Sequence, residues 1–254
     1  MIQTPKDKPT GKTVLLFSGG MDSVIIAHLM KPDVLLYVAH GNRYEKRELE
    51  TAKILAEGAY GKPLQVQRLD FLGGFERPDA LIPLRNLFFF AVGALYGEKV
   101  ILGAVAAERI LDKSKPFFTK MSDVLSYLYQ DQHWCEGRTI DACAPYKDYT
   151  KTQLVKLYLE AGGSVPNVLE SYSCYEHFDA GKTGRACGWC KACFRKWVAL
   201  ENNGIRTAEY KYFANTPHEA PWLPEWRALL AEQGSVRPGE DEEWLAALAK
   251  VGHA

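Results

Sequence analysis

The amino-acid sequence predicts an α/β fold, a doubly wound parallel sheet with helices on both faces. Short apolar runs alternate with helical patterns through residue 103, which indicates βαβ units. The runs are almost continuously apolar, as is typical of strands that are covered on both faces. A glycine-rich segment directly follows the first run, at the position where sheets of this kind bind ligands.

Four strands and three helices are predicted in this first part of the chain. The strands are Thr13–Phe17, Val34–Ala39, Leu64–Leu69 and Lys99–Gly103. The helices between them are Asp22–Met30, Tyr44–Ala59 and Leu84–Tyr96. The apolar residues of the second helix are expected on one buried side: Leu49, Ala52, Ile54, Leu55 and Ala56.

The pattern is less regular after Gly103. The polar stretch Glu108–Thr119 indicates a loop, and Ser122–Gln130 indicates a helix. A further strand is expected within Ile140–Tyr146. The helix predicted at Thr150–Ala161 begins with a capping threonine and ends at a pair of glycines.

Composition and charge narrow the class of protein. Of the 254 residues, 47% are hydrophobic and 24% are charged, which is close to the average of globular domains. The 31 basic residues balance the 31 acidic ones, so no overall charge attracts nucleic acid or an anionic membrane. Six cysteines are too few for a secreted disulfide scaffold. We expect a cytoplasmic enzyme or binding protein that has neither a membrane nor a nucleic acid as its partner.

The segment Ser18-Gly-Gly-Met-Asp-Ser23 lies between the first strand and the first helix. Its glycines allow the backbone to approach an anion closely, and its hydroxyls and the helix start supply donors. We predict a phosphate-binding loop that comprises Ser18, Gly19, Gly20, Asp22 and Ser23. Asp22 would repel phosphate, so it is expected to contact Mg²⁺ or to start the helix. The alternative is an ordinary turn that uses glycine for geometry and serine or aspartate for capping.

A second motif is formed by cysteines. Cys187, Cys190 and Cys193 are each separated by two residues, and Cys174 lies upstream of them. Thiols at this spacing converge on one ion through a tight turn, which Gly188 allows. Four thiolates around one centre are typical of structural Zn²⁺. An iron–sulfur cluster, a redox pair and buried free thiols are the alternatives.

Together the two motifs resemble the 7-cyano-7-deazaguanine synthase family of the queuosine pathway, within the N-type ATP pyrophosphatase superfamily. The segment Ser173-Cys174-Tyr175 precedes the later thiols, as it does in that family. Further segments that match the family pattern are His40–Tyr44, Arg47–Glu50, Pro83–Phe88 and Ala144–Lys151. The resemblance extends over about residues 13 to 206, in the family order.

The resemblance implies an ATP-dependent carbon–nitrogen ligase. Family members adenylate the carboxylate of 7-carboxy-7-deazaguanine and convert it with ammonia into the amide and then the nitrile. Asp22, Arg85 and Lys151 are the expected catalytic residues, and the two cations would offset charge on the bridging oxygen. The alternative for both cations is a solvated helix face, where isolated basic residues usually lie. ATP, Mg²⁺ and Zn²⁺ are the implied cofactors, and we expect a homodimer.

On this basis three parts of the chain are predicted. Residues 1–170 form an ATP-binding α/β domain, and residues 171–200 form a zinc-binding module. Residues 201–254 form an aromatic C-terminal extension that packs on the core or on a partner subunit. One stretch departs from the family, because Leu111–Pro116 stands where the family carries Tyr-Pro-Asp-Cys-Arg-Pro. Lys113 thereby replaces an aspartate, which indicates a specialised relative.

Other functions remain open at this point. An amine on another molecule, including a protein, could replace ammonia as the acceptor of the activated deazaguanine carboxylate. A tRNA-thiolating enzyme of the same superfamily would need a basic surface and a catalytic pair such as Cys135 and Cys143. These two cysteines are otherwise expected to be ordinary buried thiols. A catalytically silent nucleotide-binding subunit would have no need of the Ser18–Ser23 segment.

Overall fold

The structure is a computed structural model that describes residues 6–106, 108, 110–176, 185–235 and 237–252. Within these ranges, five strands form one all-parallel sheet in the order β3-β2-β1-β4-β5. The strands are β1 Thr13–Leu16, β2 Val34–Ala39, β3 Leu64–Arg68, β4 Lys99–Leu102 and β5 Asp141–Cys143. The predicted doubly wound α/β fold is confirmed. Residues 177–184 of the predicted zinc module lie outside the described residues.

Nine α-helices are present in the described part of the chain. They are α1 Met21–Met30, α2 Glu45–Tyr60, α3 Arg85–Gly93, α4 Lys115–Leu128, α5 Lys151–Glu160, α6 Val165–Glu170, α7 Lys191–Asn202, α8 Leu223–Gln233 and α9 Glu240–Lys250. The strands and helices predicted through residue 103 are therefore confirmed to within a few residues at their ends. No described helix is both long and apolar enough to cross a membrane.

Both faces of the sheet are covered by helices. Val14 of β1 packs into an apolar cluster on the α3 and α4 side, whereas Leu15 packs on the α1 and α2 side. The continuous apolar strands are explained by this double burial. Ile54 is 55% exposed, contrary to the expectation that it shares the buried side of α2. It lies outside the stripe of buried residues, which comprises Thr51, Ala52, Leu55 and Ala56.

The loop predicted at Glu108–Thr119 is wrong from Lys115 onward, because α4 begins there. Ser114 caps this helix, and its side chain accepts a hydrogen bond from the Phe117 N–H at 3.3 Å. Pro116 lies in the first turn, where a missing N–H leaves no intrahelical hydrogen bond unmade. The polar start of the segment is a capping sequence, and the apolar residues that follow hold the helix against the core.

The C-terminal segment packs on α7 through aromatic rings. The ring of Phe194 lies 4.9 Å from Trp244 and 5.1 Å from Trp222, measured between centroids. Trp197, also on α7, is buried in the same cluster. The boundaries of the three predicted parts stay a prediction. Helix α9 packs against α7, the helix that follows the cysteine motif.

Candidate active site

A cavity of about 190 Å³ opens at the carboxyl ends of β1, β2 and β4. The order of strands reverses at β1, and parallel sheets bind ligands at such a point. Six of the residues predicted to bind or to act on the nucleotide line this cavity: Ser18, Gly20, Asp22, Ser23, Arg85 and Lys151. The structure thus brings the predicted residues together, while their roles stay predictions.

The predicted phosphate loop has a tightly determined backbone. Gly19 has φ +72°, and a Cβ there would lie 2.8 Å from the backbone nitrogen of Ala52. Ser18 Oγ accepts a hydrogen bond from the Gly20 N–H at 3.2 Å, and Ser23 Oγ donates to the Gly20 carbonyl at 2.9 Å. Gly19 therefore serves the packing against α2, whereas Gly20 lines the cavity.

Asp22 and Lys151 form an ion pair at the edge of the cavity. Lys151 Nζ donates to Asp22 Oδ2, and the side chains are 18% and 17% exposed. Asp22 Oδ1 is buried and accepts no hydrogen bond from any described residue. Lys151 is the first residue of α5, and the capping box of Thr150 and Gln153 fixes this end of the helix. The unpartnered carboxylate oxygen fits a ligand for Mg²⁺.

Arg85 enters the cavity from the start of α3. The preceding residue, Leu84, has φ +61°, which turns the chain sharply into the helix. The Arg85 guanidinium lies 5.6 Å from the centroid of the Phe89 ring. Its Nε is buried and bonds to no polar atom within the described ranges. A partly exposed guanidinium with a buried, unpartnered Nε–H is suited to bind an anion.

The wall formed by β2 and α2 contains polar residues that the sequence reasoning did not single out. Tyr37 donates its hydroxyl proton to Glu48 Oε2 at 3.0 Å. Burial raises the pKa of Glu48 to about 7, although Tyr37 and the charge of Arg85 oppose this shift. His40 donates from Nδ1 to the Val38 carbonyl at 2.9 Å, which leaves Nε2 as an acceptor. Glu48 belongs to the Arg47–Glu50 segment, so the family pattern was its sequence signal.

A second carboxylate of the cavity has the opposite electrostatic environment. Glu108 accepts hydrogen bonds from Lys113 Nζ at 2.6 Å and from the Val105 N–H at 3.1 Å. Burial raises the pKa of Glu108, but the charges of Lys113 and Lys151 outweigh it and lower the pKa to about 2. Lys113, the residue that departs from the family pattern, therefore neutralises a carboxylate beside the cavity.

A further side of the cavity is formed by α7. Arg195 and Lys196 of this helix line the cavity, and neither was identified from the sequence. Lys196 is 1% exposed and donates to the carbonyls of Leu169 and Ser171 at 3.1 and 2.5 Å. The next residue, Tyr172, donates its N–H to the Gly19 carbonyl at 2.9 Å. Lys196 thereby links α7 to the phosphate loop.

The four predicted metal ligands lie together at the N-terminal end of α7. One sulfur from each of Cys174, Cys187, Cys190 and Cys193 lies within 4.8 Å of the others. Gly188 has φ +86°, and a Cβ there would lie 2.0 Å from a backbone oxygen, so the turn requires glycine. The arrangement could hold one metal ion, and a closed set of four thiols fits structural Zn²⁺.

An outer chamber of about 660 Å³ lies next to the cavity. The two share wall residues, which are Tyr44, Arg85, Glu108, Lys113, Tyr175 and Arg195. Its outer walls carry exposed apolar side chains, among them Leu84 and Leu111 at 63% and 83% exposure. The divergent Leu111–Pro116 stretch therefore borders this chamber.

The sheet, the loop and the thiol cluster define the class of the protein, an α/β protein of the N-type ATP pyrophosphatase kind. The model of the queuosine biosynthesis protein QueC family matches residues 73–204, just over half of the chain. The chain therefore belongs to that family, as the resemblance predicted. The match ends at residue 204, before α8 and α9.

Curated relatives agree with the family. The 7-cyano-7-deazaguanine synthase of Methanocaldococcus jannaschii is 27% identical over 232 residues, which cover 76% of this chain and 96% of the relative. The synthase of Methanothermobacter thermautotrophicus is 29% identical over 225 residues, again covering 76% and 96%. That of Campylobacter hominis is 28% identical over 232 residues, covering 79% and 97%. These names describe synthases, which supports an enzyme.

Proposed function

We propose that this chain uses ATP to adenylate the carboxylate of 7-carboxy-7-deazaguanine and converts it with ammonia into the amide and then the nitrile. The observation that carries the proposal is the convergence of the Ser18–Ser23 loop, Asp22, Lys151 and Arg85 on one cavity, in a member of this family. This set of groups suits the transfer of AMP to an oxygen. A silent nucleotide-binding subunit would not require it.

The reaction needs activation twice because a carboxylate and an amide are poor electrophiles. In the first half, a carboxylate oxygen attacks the α-phosphorus of ATP, and pyrophosphate leaves. Ammonia then displaces AMP and the amide forms. In the second half, the amide oxygen attacks the α-phosphorus of a second ATP, and a second pyrophosphate leaves. The nitrogen then loses two protons as AMP departs with the former amide oxygen, which leaves the nitrile. Arg85 and Lys151 would offset the negative charge that grows on the bridging oxygen in each transfer.

Mg²⁺ and Zn²⁺ would have different roles in this reaction. Asp22, through its unpartnered Oδ1, would hold Mg²⁺ against the pyrophosphate that the loop binds. Cys174, Cys187, Cys190 and Cys193 would hold Zn²⁺ as a structural ion, since four protein ligands leave no open position for chemistry. Ammonia as the nitrogen donor and a homodimeric state remain predictions.

The test is a turnover assay with 7-carboxy-7-deazaguanine, ATP, Mg²⁺ and ammonium, followed by AMP release and product masses. We expect AMP and a product with the mass of the nitrile. Lys151→Met should lower turnover by about 100-fold because it removes a cation at the transferred phosphate. Lys156→Met is the matched control, since Lys156 lies on the same helix with its side chain 69% exposed. Absence of AMP from the wild type, or equal activity of the two variants, would refute the proposal.

A second candidate keeps the adenylation but uses a larger amine as the acceptor. The outer chamber favours it, because about 660 Å³ with exposed apolar walls is far more space than ammonia needs. The same assay distinguishes the two. A wild type that releases AMP but yields no amide or nitrile from ammonium would favour the larger amine.

The thiolating alternative finds no support in the arrangement of its cysteines. Cys135 is buried in the cluster on the α3 and α4 side of the sheet, whereas Cys143 packs on the α1 and α2 side. Two thiols on opposite faces of a sheet cannot act as a pair. Burial also raises the pKa of Cys143 to about 12, so it is a poor source of thiolate.

A further inference from the structure

The C-terminal helix α9 supplies a carboxylate to a cation of the cavity. Glu240, its first residue, accepts a hydrogen bond from Arg195 Nε, and the two side chains are 7% and 15% exposed. Arg237 Nη1 reaches the other carboxylate oxygen of Glu240 at 3.2 Å. A largely buried ion pair of this kind holds a guanidinium in one orientation.

The same helix also supports the end of α5 that carries Lys151. Glu243 accepts hydrogen bonds from Thr150 Oγ1 and, at 2.8 Å, from Thr152 Oγ1. These two threonines flank Lys151 in the sequence. Two carboxylates one turn apart on α9 therefore lie behind two cations that line the cavity.

The start of α9 is itself fixed in place. Asp241 is 2% exposed and accepts a hydrogen bond from Trp226 Nε1 at 3.3 Å. It also accepts from Ser235 Oγ at 3.0 Å and from the Arg237 N–H at 2.6 Å. The first turn of α9 is thus tied to α8 and to the segment between the helices. This anchoring makes Glu240 a rigid support.

We propose that Glu240 is a positioning residue that holds Arg195 toward the triphosphate of ATP, with Glu243 doing the same for the start of α5. Burial lowers the pKa of Arg195, but the charges of Glu240 and Glu108 raise it above its usual value, so the side chain stays cationic. Within the described residues Glu240 engages only the Nε–H, which leaves the terminal NH₂ groups for an anion. The role in turnover rests on the proposed function, whereas the role in nucleotide binding does not.

The test compares Glu240→Gln with Glu242→Gln in the full-length, metal-loaded protein. Both changes remove one negative charge from the first turn of α9, but Glu242 is exposed and bonds only to the Gly239 N–H among the described residues. Affinity for a non-hydrolysable ATP analogue with Mg²⁺ is measured by calorimetry, and kcat and KM are measured by AMP release. We expect Glu240→Gln to weaken the analogue and to lower kcat, each by about 10-fold or more, because the guanidinium loses its orientation. Glu242→Gln should match the wild type in both.

A double-mutant cycle with Arg195→Met separates positioning from general stability. If Glu240 acts through Arg195, adding Glu240→Gln to Arg195→Met should cause no further loss of analogue affinity. Thermal unfolding and zinc content are measured for every variant, and Glu240→Asp replaces Glu240→Gln if the latter does not fold. Equal analogue affinity of the Glu240 and Glu242 variants, or additive losses in the cycle, would overturn the inference. If the wild type binds the analogue but forms no AMP, the proposed function is refuted. The comparison of analogue affinities then still tests whether Glu240 positions Arg195.

Discussion

The two sides of the cavity are held in place by different means. The sheet side consists of the phosphate loop and strand ends, and its shape follows from apolar packing and from Gly19 against Ala52. The α7 side begins at the thiol cluster and is supported by one ion pair with α9, which is distant in the sequence. The first side is formed by the polypeptide alone, whereas the second contains four thiols that could hold a metal ion, together with buried charges. Substitutions on the two sides should therefore have different effects on turnover, metal content and stability.

The largest effect is expected on the sheet side. Gly20→Val should abolish ATP turnover, by at least about 1,000-fold, because its side chain occupies the space that phosphate needs. Its φ of −71° suits valine, and although its Cβ would lie only 3.1 Å from Ser18 Oγ, this side chain can shift, so circular dichroism should stay nearly native. Gly19→Ala is the counterpart, since it clashes with the backbone at Ala52 and should lower the melting temperature instead. Unchanged AMP formation in Gly20→Val would place the nucleotide elsewhere.

The next largest effect tests the dependence of the α7 side on metal. Cys190→Ser should release Zn²⁺ and lower the melting temperature by roughly 10 °C, because the ion organises the start of α7. Elemental analysis measures the zinc content, and thermal unfolding measures the melting temperature. Cys143→Ser is the control, since Cys143 lies on β5 away from the cluster and its loss should leave the zinc content at one per chain. Iron with sulfide, or an equally stable metal-free protein, would contradict the prediction.

A smaller effect should appear in acid stability. The pKa of Glu108 is lowered to about 2 from 4.5, so its contribution to stability is present above pH 4.5 and is lost as the pH falls toward 2. Lys113→Met removes the nearest cation and should lower the free energy of unfolding at pH 7 by up to about 3 kcal/mol. Urea unfolding at pH 7 and pH 3 measures this, and the difference from the wild type should shrink at pH 3. Lys120→Met, on the exposed side of α4, should behave like the wild type at both values.

The smallest effect concerns Glu48, the cavity carboxylate whose pKa is shifted in the opposite direction. The pKa of Glu48 is raised from 4.5 to about 7, so the stability that it contributes is present below pH 4.5 and is lost as the pH rises through 7. Glu48→Gln should abolish this pH dependence. Between pH 5 and pH 8 its free energy of unfolding should fall by about 1–2 kcal/mol less than that of the wild type. This figure is reduced because the side chain is partly exposed. Glu57→Gln, exposed on the same helix, should retain the wild-type slope. Identical slopes for the two variants would contradict the assignment.

The sheet side was largely predictable from the sequence, because its signals are local. An apolar run, a glycine-rich turn and a helix pattern are all contained in Thr13–Met30, and the structure reproduces them. The thiol spacing was equally informative, since ligands three residues apart must converge. The start of α4 was missed because Ser114 and Pro116 occur in loops as often as at helix starts.

The contacts and charge environment of the remaining polar residues of the cavity could not be predicted from the sequence, for a physical reason. Arg195 faces the cavity because Glu240 holds it, and 45 residues separate the two. Glu48 lies in the Arg47–Glu50 segment of the family pattern, but its raised pKa comes from burial, and its hydrogen bond with Tyr37 is formed by the fold. Neither the Arg195–Glu240 pair nor the Glu48–Tyr37 pair produces a periodic pattern or a characteristic spacing in the sequence.

The separation in sequence between Glu240 and Arg195 has a consequence for the order of folding. Their ion pair joins residues 45 positions apart, whereas the hydrogen bonds of the phosphate loop join residues two and three positions apart. Contacts between distant residues are rewarded only after the chain has lost the entropy of closing the segment between them. The phosphate loop can therefore take its shape before Arg195 is held, and the two sides of the cavity are completed at different stages of folding.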